Sequence, residues 1–473
     1  MPDDAKSLEP NAPEAHARPD RHAFLFRLIR SPIGALVARP WFHGLASWLL
    51  IRWYFPLSRL WAAASLAEGS VERFAEEVPL GGISDRHRRR LARVLKTIEA
   101  ARHGAAEARA EWEEAFFGAE ALPATTLVAL EHRRRTASHA YMMGRFGLRF
   151  LRYRDVPKAR WEVPDCESVE AAYGALVEHP ERAYAAPDPM PQVEVSKTIP
   201  ASIGRKYWLR FASPSARVGG MAYATVHEPV DAEPTATLVF GHGVGVENDL
   251  WRETVDSVLL LVRDGIRVIE VTGPWHGLRA QRGRYGGEPF FATTPLGVLD
   301  LFTAEAREMA VLIDWARRHG SSRVGLGGVS LGALVAQLAL VHACHWPAAS
   351  RPDAALLITH AGPIEHTAEG GTLTQGLGLI DALTEAGWSS EEFARWRGLT
   401  DPIGEPSLQA NKIVSVLASR DDVTPFASGR KLVRDWGVPP ENLFILRQGH
   451  FSLPLALLRD RRPFARFVNI LTS

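Results

Sequence analysis

A serine between two glycines is the first residue in this sequence with the setting of a nucleophile. Ser330 lies in GVSLG at 328–332, which fits the pattern G-x-S-x-G. The glycines permit a sharp strand-to-helix turn that projects the hydroxyl away from the backbone. The pattern alone is common, but a strand-like run precedes it at 324–326 and an apolar helical run follows it at 331–341. We therefore predict that Ser330 is a nucleophile, with a serine that only occupies a turn as the alternative.

The base that activates this serine is expected late in the chain. A serine hydroxyl becomes a good nucleophile only when a nearby base takes its proton. In a strand–turn–helix setting of this kind the chain order is serine, acid, histidine. His450, in RQGHFS, follows a strand-like run and precedes the final helical segment, so we predict that it is the base. The competing histidines come before the nucleophile or before any suitable acid: His242, His276, His360 and His366.

Two adjacent aspartates are candidates for the acid that orients the base. Asp421 and Asp422 directly follow the apolar run KIVSVLA. The acid keeps the imidazole in the correct tautomer and stabilises it once charged. We predict Asp421, because D-x-x-x-P with Pro425 matches the turn expected there. Asp422 is the alternative acid, and otherwise a solvated or helix-capping residue.

Backbone amides are needed to hold the negative charge that develops on the attacked carbonyl oxygen. One is expected from Leu331, the residue after the nucleophile. The other is expected from the glycine-rich loop GHGVG at 241–245, with Val244 and Gly243 as candidates; this loop lacks the Lys-Ser/Thr pair of a phosphate-binding loop. Side chains that follow the strands are predicted to contact the substrate: His242, Trp275, His276 and His360.

Short apolar runs alternate with helical segments from about residue 192 onward, which predicts an α/β fold with a mostly parallel sheet. KYWLRFAS and GGMAYATVHEP predict an opening pair of strands. Six later runs predict strands that end in polar or glycine residues: TATLVFGHG, RVIEVTGPWHG, RVGLGGVSLG, AALLITHAG, KIVSVLASRDD and NLFILRQGH. A helix before GVSLG is indicated by apolar residues at steps of four and three: Phe302, Ala306, Met309, Ile313 and Ala316. Gly320 is expected just after its end.

The chain is long enough for a catalytic domain and an additional region. It has 473 residues, 46% of them hydrophobic, and a formal net charge of +1, which gives no indication of a nucleic-acid partner. Its two cysteines do not form a disulfide framework or a metal-ligand pattern. We expect a disordered tail over 1–20, a helical region over 21–190, and a catalytic domain over 191–473 with an insertion at about 362–405.

Residues 21–67 combine basic and aromatic residues without any acid. They contain six arginines and tryptophans at 41, 48, 53 and 61, a composition typical of helices that lie in a membrane interface. Packing against the catalytic domain is the alternative. The apolar stretch at 44–51 is too short to span a bilayer, and the polar opening does not suit a signal peptide, so we expect a cytoplasmic protein with or without peripheral membrane contact. The basic runs DRHRRR and EHRRR are interpreted as solvated helix faces.

The insertion after His360 is expected to form a helical lid over the nucleophile. Five of its apolar residues either line an acyl pocket or pack in a core: Leu377, Leu379, Ile380, Leu383 and Trp388. The sequence leaves these two possibilities open.

The motifs together resemble the α/β-hydrolase superfamily. The resemblance covers roughly residues 192 to 473 and rests on HGVG at 242–245, GVSLG at 328–332, Asp421 and GH at 449–450. It implies an α/β-hydrolase fold and a serine hydrolase that needs no metal or organic cofactor, acting on a small-molecule ester. It does not specify the substrate, because this fold hosts many activities.

A narrower resemblance is carried by GVENDLWRE, GPWHGLRAQRG and GGVSLGA. These segments are similar to the family of alpha/beta-hydrolase domain-containing protein 18, which implies a lipid-like ester substrate. We expect a carboxylic ester hydrolase that forms an acyl-enzyme. An acyltransferase with the same three residues and a non-catalytic scaffold that binds membranes or partners are the alternatives. The oligomeric state is left open.

Overall fold

The computed structural model of the chain describes residues 39–154, 156–230, 235–245 and 257–473. The predicted tail over 1–20 and the first part of the predicted helical region lie outside these residues. Helices fill the described chain up to Ala183, and strands alternate with helices from Glu194 onward.

Seven helices make up most of the described N-terminal part up to Ala183. They are α1 (Pro40–Leu49), α2 (Phe55–Leu66), α3 (Val71–Glu77), α4 (Asp85–Phe117), α5 (Ala124–Met143), α6 (Cys166–Tyr173) and α7 (Pro180–Ala183). A short π-helical segment, Leu50–Tyr54, joins α1 to α2 without a break. Every residue of α2 from Phe55 to Ser65 is buried. The packing alternative therefore holds for this part of the basic, aromatic segment.

The two basic runs differ in their surroundings. DRHRRR opens α4 on its exposed side, as predicted. In EHRRR, Arg133 is exposed and pairs with Glu111. Arg134, by contrast, is buried and makes two hydrogen bonds to buried Glu131, at 2.8 and 3.0 Å. The interpretation of EHRRR as a solvated face is wrong at these two residues, because the buried pair satisfies both charges away from water.

The C-terminal part is built on one mixed sheet. Its strands are β1 (Glu194–Val195), β2 (Ile199–Pro200), β3 (Arg205–Ala212), β4 (Met221–Glu228), β5 (Ala236–Gly241), β6 (Arg267–Thr272), β7 (Arg323–Val329), β8 (Ala354–Ile358), β9 (Ile413–Ala418) and β10 (Leu443–Leu446). Their order is β1-β3-β4-β6-β5-β7-β8-β9-β10, with β2 paired to β3 beside that path. From β6 to β10 all neighbours are parallel, whereas β4 is antiparallel to both β3 and β6.

Helices connect and cover these strands. They are α8 (Glu288–Ala292), α9 (Leu296–Arg318), α10 (Leu331–His342), α11 (Ile364–Gly370), α12 (Thr372–Leu377), α13 (Leu379–Glu385), α14 (Ser390–Ala394), α15 (Arg397–Thr400), α16 (Phe426–Asp435), α17 (Leu453–Leu457) and α18 (Arg462–Thr472). The five apolar residues predicted on one face of α9 are all fully buried. Gly320 follows its end with φ of 90°, so both predictions are confirmed.

The alternation of side chains along the strands divides the core into two layers. On β5, Leu238 and Phe240 face the layer that holds α18, whereas Val239 faces the layer that holds α9 and α10. The N-terminal helices α2 to α4 pack into the second of these layers. With both faces covered, the strand order above is that of the α/β-hydrolase fold, and the predicted fold class is confirmed. None of the described helices combines the length and the hydropathy that a bilayer-spanning segment requires.

Candidate active site

The turn between β7 and α10 holds Ser330 in a strained conformation. Its φ and ψ are 55° and −119°, a region that residues with a side chain rarely adopt. A Cβ atom on Gly328 would lie 2.2 Å from the backbone carbonyl carbon of Gly332. A Cβ atom on Gly332 would in turn lie 2.2 Å from the backbone carbonyl carbon of Gly241. The two glycines of GVSLG are therefore required by close contacts between backbones.

Three buried side chains from separate loops form a hydrogen-bonded chain at this turn. The distance from Ser330 Oγ to His450 Nε2 is 2.9 Å, and that from His450 Nδ1 to Asp421 Oδ2 is also 2.9 Å. Because an ionised carboxylate only accepts hydrogen bonds, Nδ1 carries the imidazole proton and Nε2 accepts from the serine hydroxyl. The structure thus brings together the three residues that were predicted as nucleophile, base and acid. This arrangement can move the serine proton to the imidazole.

Asp421 is held as an anion by its surroundings. Burial acts to raise the pKa of this carboxyl group. Two contributions outweigh that effect and lower the pKa of Asp421 below its ordinary value. One is the charge and the hydrogen bond of His450, and the other is the pair of hydrogen bonds from the amides of Thr424 and Val423, both at 2.9 Å. The Thr424 hydroxyl also donates to Asp421, at 3.0 Å. Thr424 was not predicted, because nothing in its spacing distinguishes it from other turn threonines.

The neighbouring aspartate has a different partner. Asp422 Oδ1 lies 2.7 Å from Nε2 of His43, a buried residue of α1. The His43 ring stacks on Phe451 with ring centroids 5.6 Å apart, and Phe451 contacts the His450 ring edge-on at 5.2 Å. Helix α1 therefore braces the two loops that carry Asp421 and His450.

The glycine-rich loop after β5 lies against the nucleophile. A Cβ atom on Gly243 would be 3.5 Å from Ser330 Cβ. Val244 and Leu331 line the same cavity as Ser330. The loop is anchored because Gly332 N donates to the carbonyl oxygen of His242 at 2.9 Å. The candidate oxyanion residues Leu331, Val244 and Gly243 thus surround the serine.

A largely apolar cavity of about 150 Å³ opens at Ser330. The lid helices supply much of its wall, including four of the five predicted residues: Leu379, Ile380, Leu383 and Trp388. Leu377 instead packs in the core. Two phenylalanines of α8 that were not predicted, Phe290 and Phe291, complete the apolar wall. Their segment has no catalytic motif, so no sequence signal points to them.

The four predicted substrate-binding side chains lie elsewhere. Of the described residues that line the cavity, none is His242, Trp275, His276 or His360. His242 and His276 hold loops, because their Nε2 atoms accept from Gly273 N at 3.1 Å and Gly245 N at 3.3 Å. Trp275 is buried beside them with φ of 64°.

His360 joins three elements beneath the site. Its Nδ1 accepts from the Gln337 amide of α10 at 2.6 Å, and its Nε2 lies 2.8 Å from the Ser415 hydroxyl of β9. Burial lowers the pKa of His360 to about 4, so the ring is neutral at pH 7. His360 thus lies two residues beyond the end of β8 and outside the cavity lining, in contact with two buried neutral partners.

Comparison with known proteins yields distant structural matches. No family model and no curated protein matches this chain. Acetyl xylan esterase 1 from Thermoanaerobacterium sp. JW/SL YS485 is 15% identical over 60% of this chain and 93% of its own, with a TM-score of 0.41. S-formylglutathione hydrolase from Agrobacterium tumefaciens is 13% identical over 59% and 99%, with a TM-score of 0.38. An acylaminoacyl peptidase from Pyrococcus horikoshii is 12% identical over 58% and 47%, with a TM-score of 0.37.

Likeness of this degree does not specify an activity. The narrower resemblance to the family of alpha/beta-hydrolase domain-containing protein 18 receives no support from these comparisons. Part of the segment GVENDLWRE, which carries that resemblance, also lies outside the described residues.

Proposed function

We propose that this chain is a serine hydrolase that cleaves carboxylic esters through an acyl-enzyme. The observation that supports this most directly is the chain Ser330–His450–Asp421, which opens into an apolar cavity. His450 Nε2 takes the hydroxyl proton while Ser330 Oγ attacks the ester carbonyl carbon. The amides of Leu331 and Val244 donate to the resulting oxyanion. His450 then protonates the departing alcohol. In the second half of the reaction His450 takes a proton from water, the water oxygen attacks the acyl carbonyl carbon, and His450 returns the proton to Ser330 Oγ as the carboxylic acid leaves.

The cavity wall favours an apolar acyl group. Leucine, isoleucine and aromatic side chains surround the space next to Ser330, and burial of each methylene of an acyl chain contributes roughly 0.8 kcal/mol. Two lid carboxylates also line the cavity. Glu365 pairs with Arg397, and Glu369 disfavours an anionic acyl group. We infer a neutral, lipid-like ester. The described site contains no feature that favours acyl transfer over hydrolysis.

Hydrolysis of a series of p-nitrophenyl esters tests this proposal. We expect kcat/KM to rise from acetate to medium-chain acyl groups, and Ser330→Ala to lower kcat by at least about 10⁴-fold. Leu383→Trp, which fills part of the cavity, should shift the preference toward short acyl groups. Full activity in Ser330→Ala would refute the mechanism, and an unchanged chain-length profile in Leu383→Trp would refute the assignment of the acyl pocket.

We further propose that the outer face of α1 contacts a lipid surface. Four apolar side chains on this helix are exposed: Trp41 by 50%, Leu45 by 42%, Trp48 by 53% and Leu49 by 43%. Arg52 is exposed one turn further on, and the first acid of the described chain is Glu68. Tryptophan and arginine on one helix face suit an interface with anionic headgroups.

Vesicle sedimentation of the full chain tests the membrane contact. Trp41→Ser/Trp48→Ser should reduce binding to phosphatidylserine-containing vesicles. Val128→Ser/Met143→Ser is the matched control, because these residues of α5 are exposed by 40% and 42%. Equal sedimentation of the two double variants would argue against a role for α1.

A further inference from the structure

A second cavity, of about 260 Å³, lies between helices α4 and α5 and the segment that follows β6. Its wall is distinguished by six arginines: Arg102, Arg109, Arg134, Arg135, Arg282 and Arg284. Of the described residues that line it, none is an aspartate or a glutamate. The surface of this cavity therefore presents guanidinium N–H donors beside apolar side chains such as Trp61 and Leu278.

Carboxylates outside the lining hold five of these six guanidinium groups in place and compensate much of their charge; they belong to Glu68, Glu99, Glu113, Glu131 and Glu162. Glu99 accepts from Arg102 at 2.7 and 2.9 Å, and Glu131 accepts from Arg134 at 2.8 and 3.0 Å. A carboxylate engages two of the five N–H donors of a guanidinium. These ion pairs fix the orientation of the arginines and reduce the entropy that a ligand would otherwise have to remove.

The remaining polar groups of the wall also suit an anion. Ser138, Tyr141 and Gln281 line the cavity beside the arginines. Burial raises the pKa of Tyr141 to about 12, so its hydroxyl is neutral at pH 7. Neutral hydroxyl and amide groups donate hydrogen bonds to phosphate oxygens without adding negative charge.

We propose that this cavity binds the phosphate group of a phosphorylated small molecule. Guanidinium groups recognise phosphate oxygens in pairs and with fixed geometry. A single carboxylate would engage only one of them, whereas several guanidinium groups on one wall match the larger number of oxygens of a phosphate ester or a diphosphate. A free phosphate ester and a lipid headgroup share this chemistry.

Calorimetric titration of the full-length protein with inorganic pyrophosphate tests the proposal. We expect one site, and we expect Arg135→Gln and Arg102→Gln each to weaken binding about tenfold or more, the usual effect of losing a hydrogen bond to a charged group. Arg133→Gln is the matched control, because it removes the same charge from an exposed position of α5 two residues away from Arg135. This control should change the Kd less than about twofold.

Several outcomes are distinguishable. No heat of binding up to millimolar pyrophosphate, or equal weakening in Arg133→Gln and Arg135→Gln, would overturn the proposal. Ser330→Ala should bind pyrophosphate as tightly as the wild type, so failure of the proposed hydrolase function would leave this result intact. Thermal unfolding of each variant identifies any that does not fold, and Arg102→Gln serves as the second variant.

The source of the phosphate is tested with phosphatidic acid vesicles. Pyrophosphate should release the wild type and Arg133→Gln from these vesicles, but not Arg135→Gln, if the cavity binds a lipid headgroup. Binding of soluble pyrophosphate without any competition at vesicles supports a free phosphate ester.

Discussion

Adjacent aspartates in one turn differ in what their side chains touch. Asp421 is 7% exposed and accepts hydrogen bonds from His450, Thr424 and two backbone amides. Asp422 points toward α1 and bonds His43. Spacing to Pro425 was enough to predict which aspartate meets His450. The partner of Asp422 was not predictable, because His43 lies 379 positions away in the chain and belongs to a different layer of the fold.

Substitution of the two aspartates by asparagine separates their roles. Asp421→Asn keeps the shape but removes the charge that stabilises the protonated imidazole, so kcat should fall by roughly 10³ to 10⁴-fold. Asp422→Asn, the matched control one residue away, should lower kcat less than about tenfold. Steady-state hydrolysis of the best ester, at pH 7.5, measures both. A larger loss of kcat in Asp422→Asn than in Asp421→Asn would show that Asp421 is not the acid of the site.

Strands and the nucleophile turn are the elements that the sequence predicts best. Six strands carry apolar runs that end in polar or glycine residues, and these six, β5 to β10, lie side by side and parallel in the sheet. The lid is less predictable, because its helices α11 to α15 are short and their apolar residues fit a pocket as well as a core. The arginine-lined cavity lies between helices and a loop that is distant in the chain. The local charge pattern EHRRR could not indicate it and led to the interpretation of a solvated helix face.

The close contact between α10 and β5 predicts that a single added methyl group at Gly332 destabilises the fold. Gly332→Ala places a Cβ atom 2.2 Å from the carbonyl carbon of Gly241, so the backbone has to move and the free energy of unfolding should fall by about 3 kcal/mol. Gly104→Ala is the control, because a Cβ atom there meets nothing within 4 Å in helix α4. It should raise the free energy of unfolding by up to about 1 kcal/mol. Urea unfolding measures both, and an unaffected Gly332→Ala would contradict the close packing of this turn.

Buried neutral histidines make the stability of the whole molecule depend on pH. Burial lowers the pKa of His360 and of His342 to about 4, below the ordinary value of 6.5. As the pH falls below 6.5, the unfolded chain takes up protons that the folded chain excludes, so stability is lost between about pH 6.5 and pH 4. For His360 alone this loss amounts to roughly 3 kcal/mol.

Urea unfolding between pH 7.5 and pH 4.5 tests this dependence. His360→Gln, which keeps a neutral polar group, should lose less stability over this range than the wild type. His103→Gln, at an exposed position of α4, is the control and should follow the wild type. Parallel curves for all three proteins would show that His360 is not the group responsible.

Labelling with a fluorophosphonate probe, followed by intact-mass and peptide-mass analysis, tests the central claim most directly. The oxygen of an activated serine attacks the phosphorus atom and displaces fluoride, so the protein gains the mass of the probe minus HF, whereas ordinary serines do not react. We predict a single adduct on the wild type, located to the peptide that contains Ser330, and no adduct on Ser330→Ala. An adduct at another serine, or an unlabelled wild type that remains folded, would contradict the assignment of Ser330 as the nucleophile.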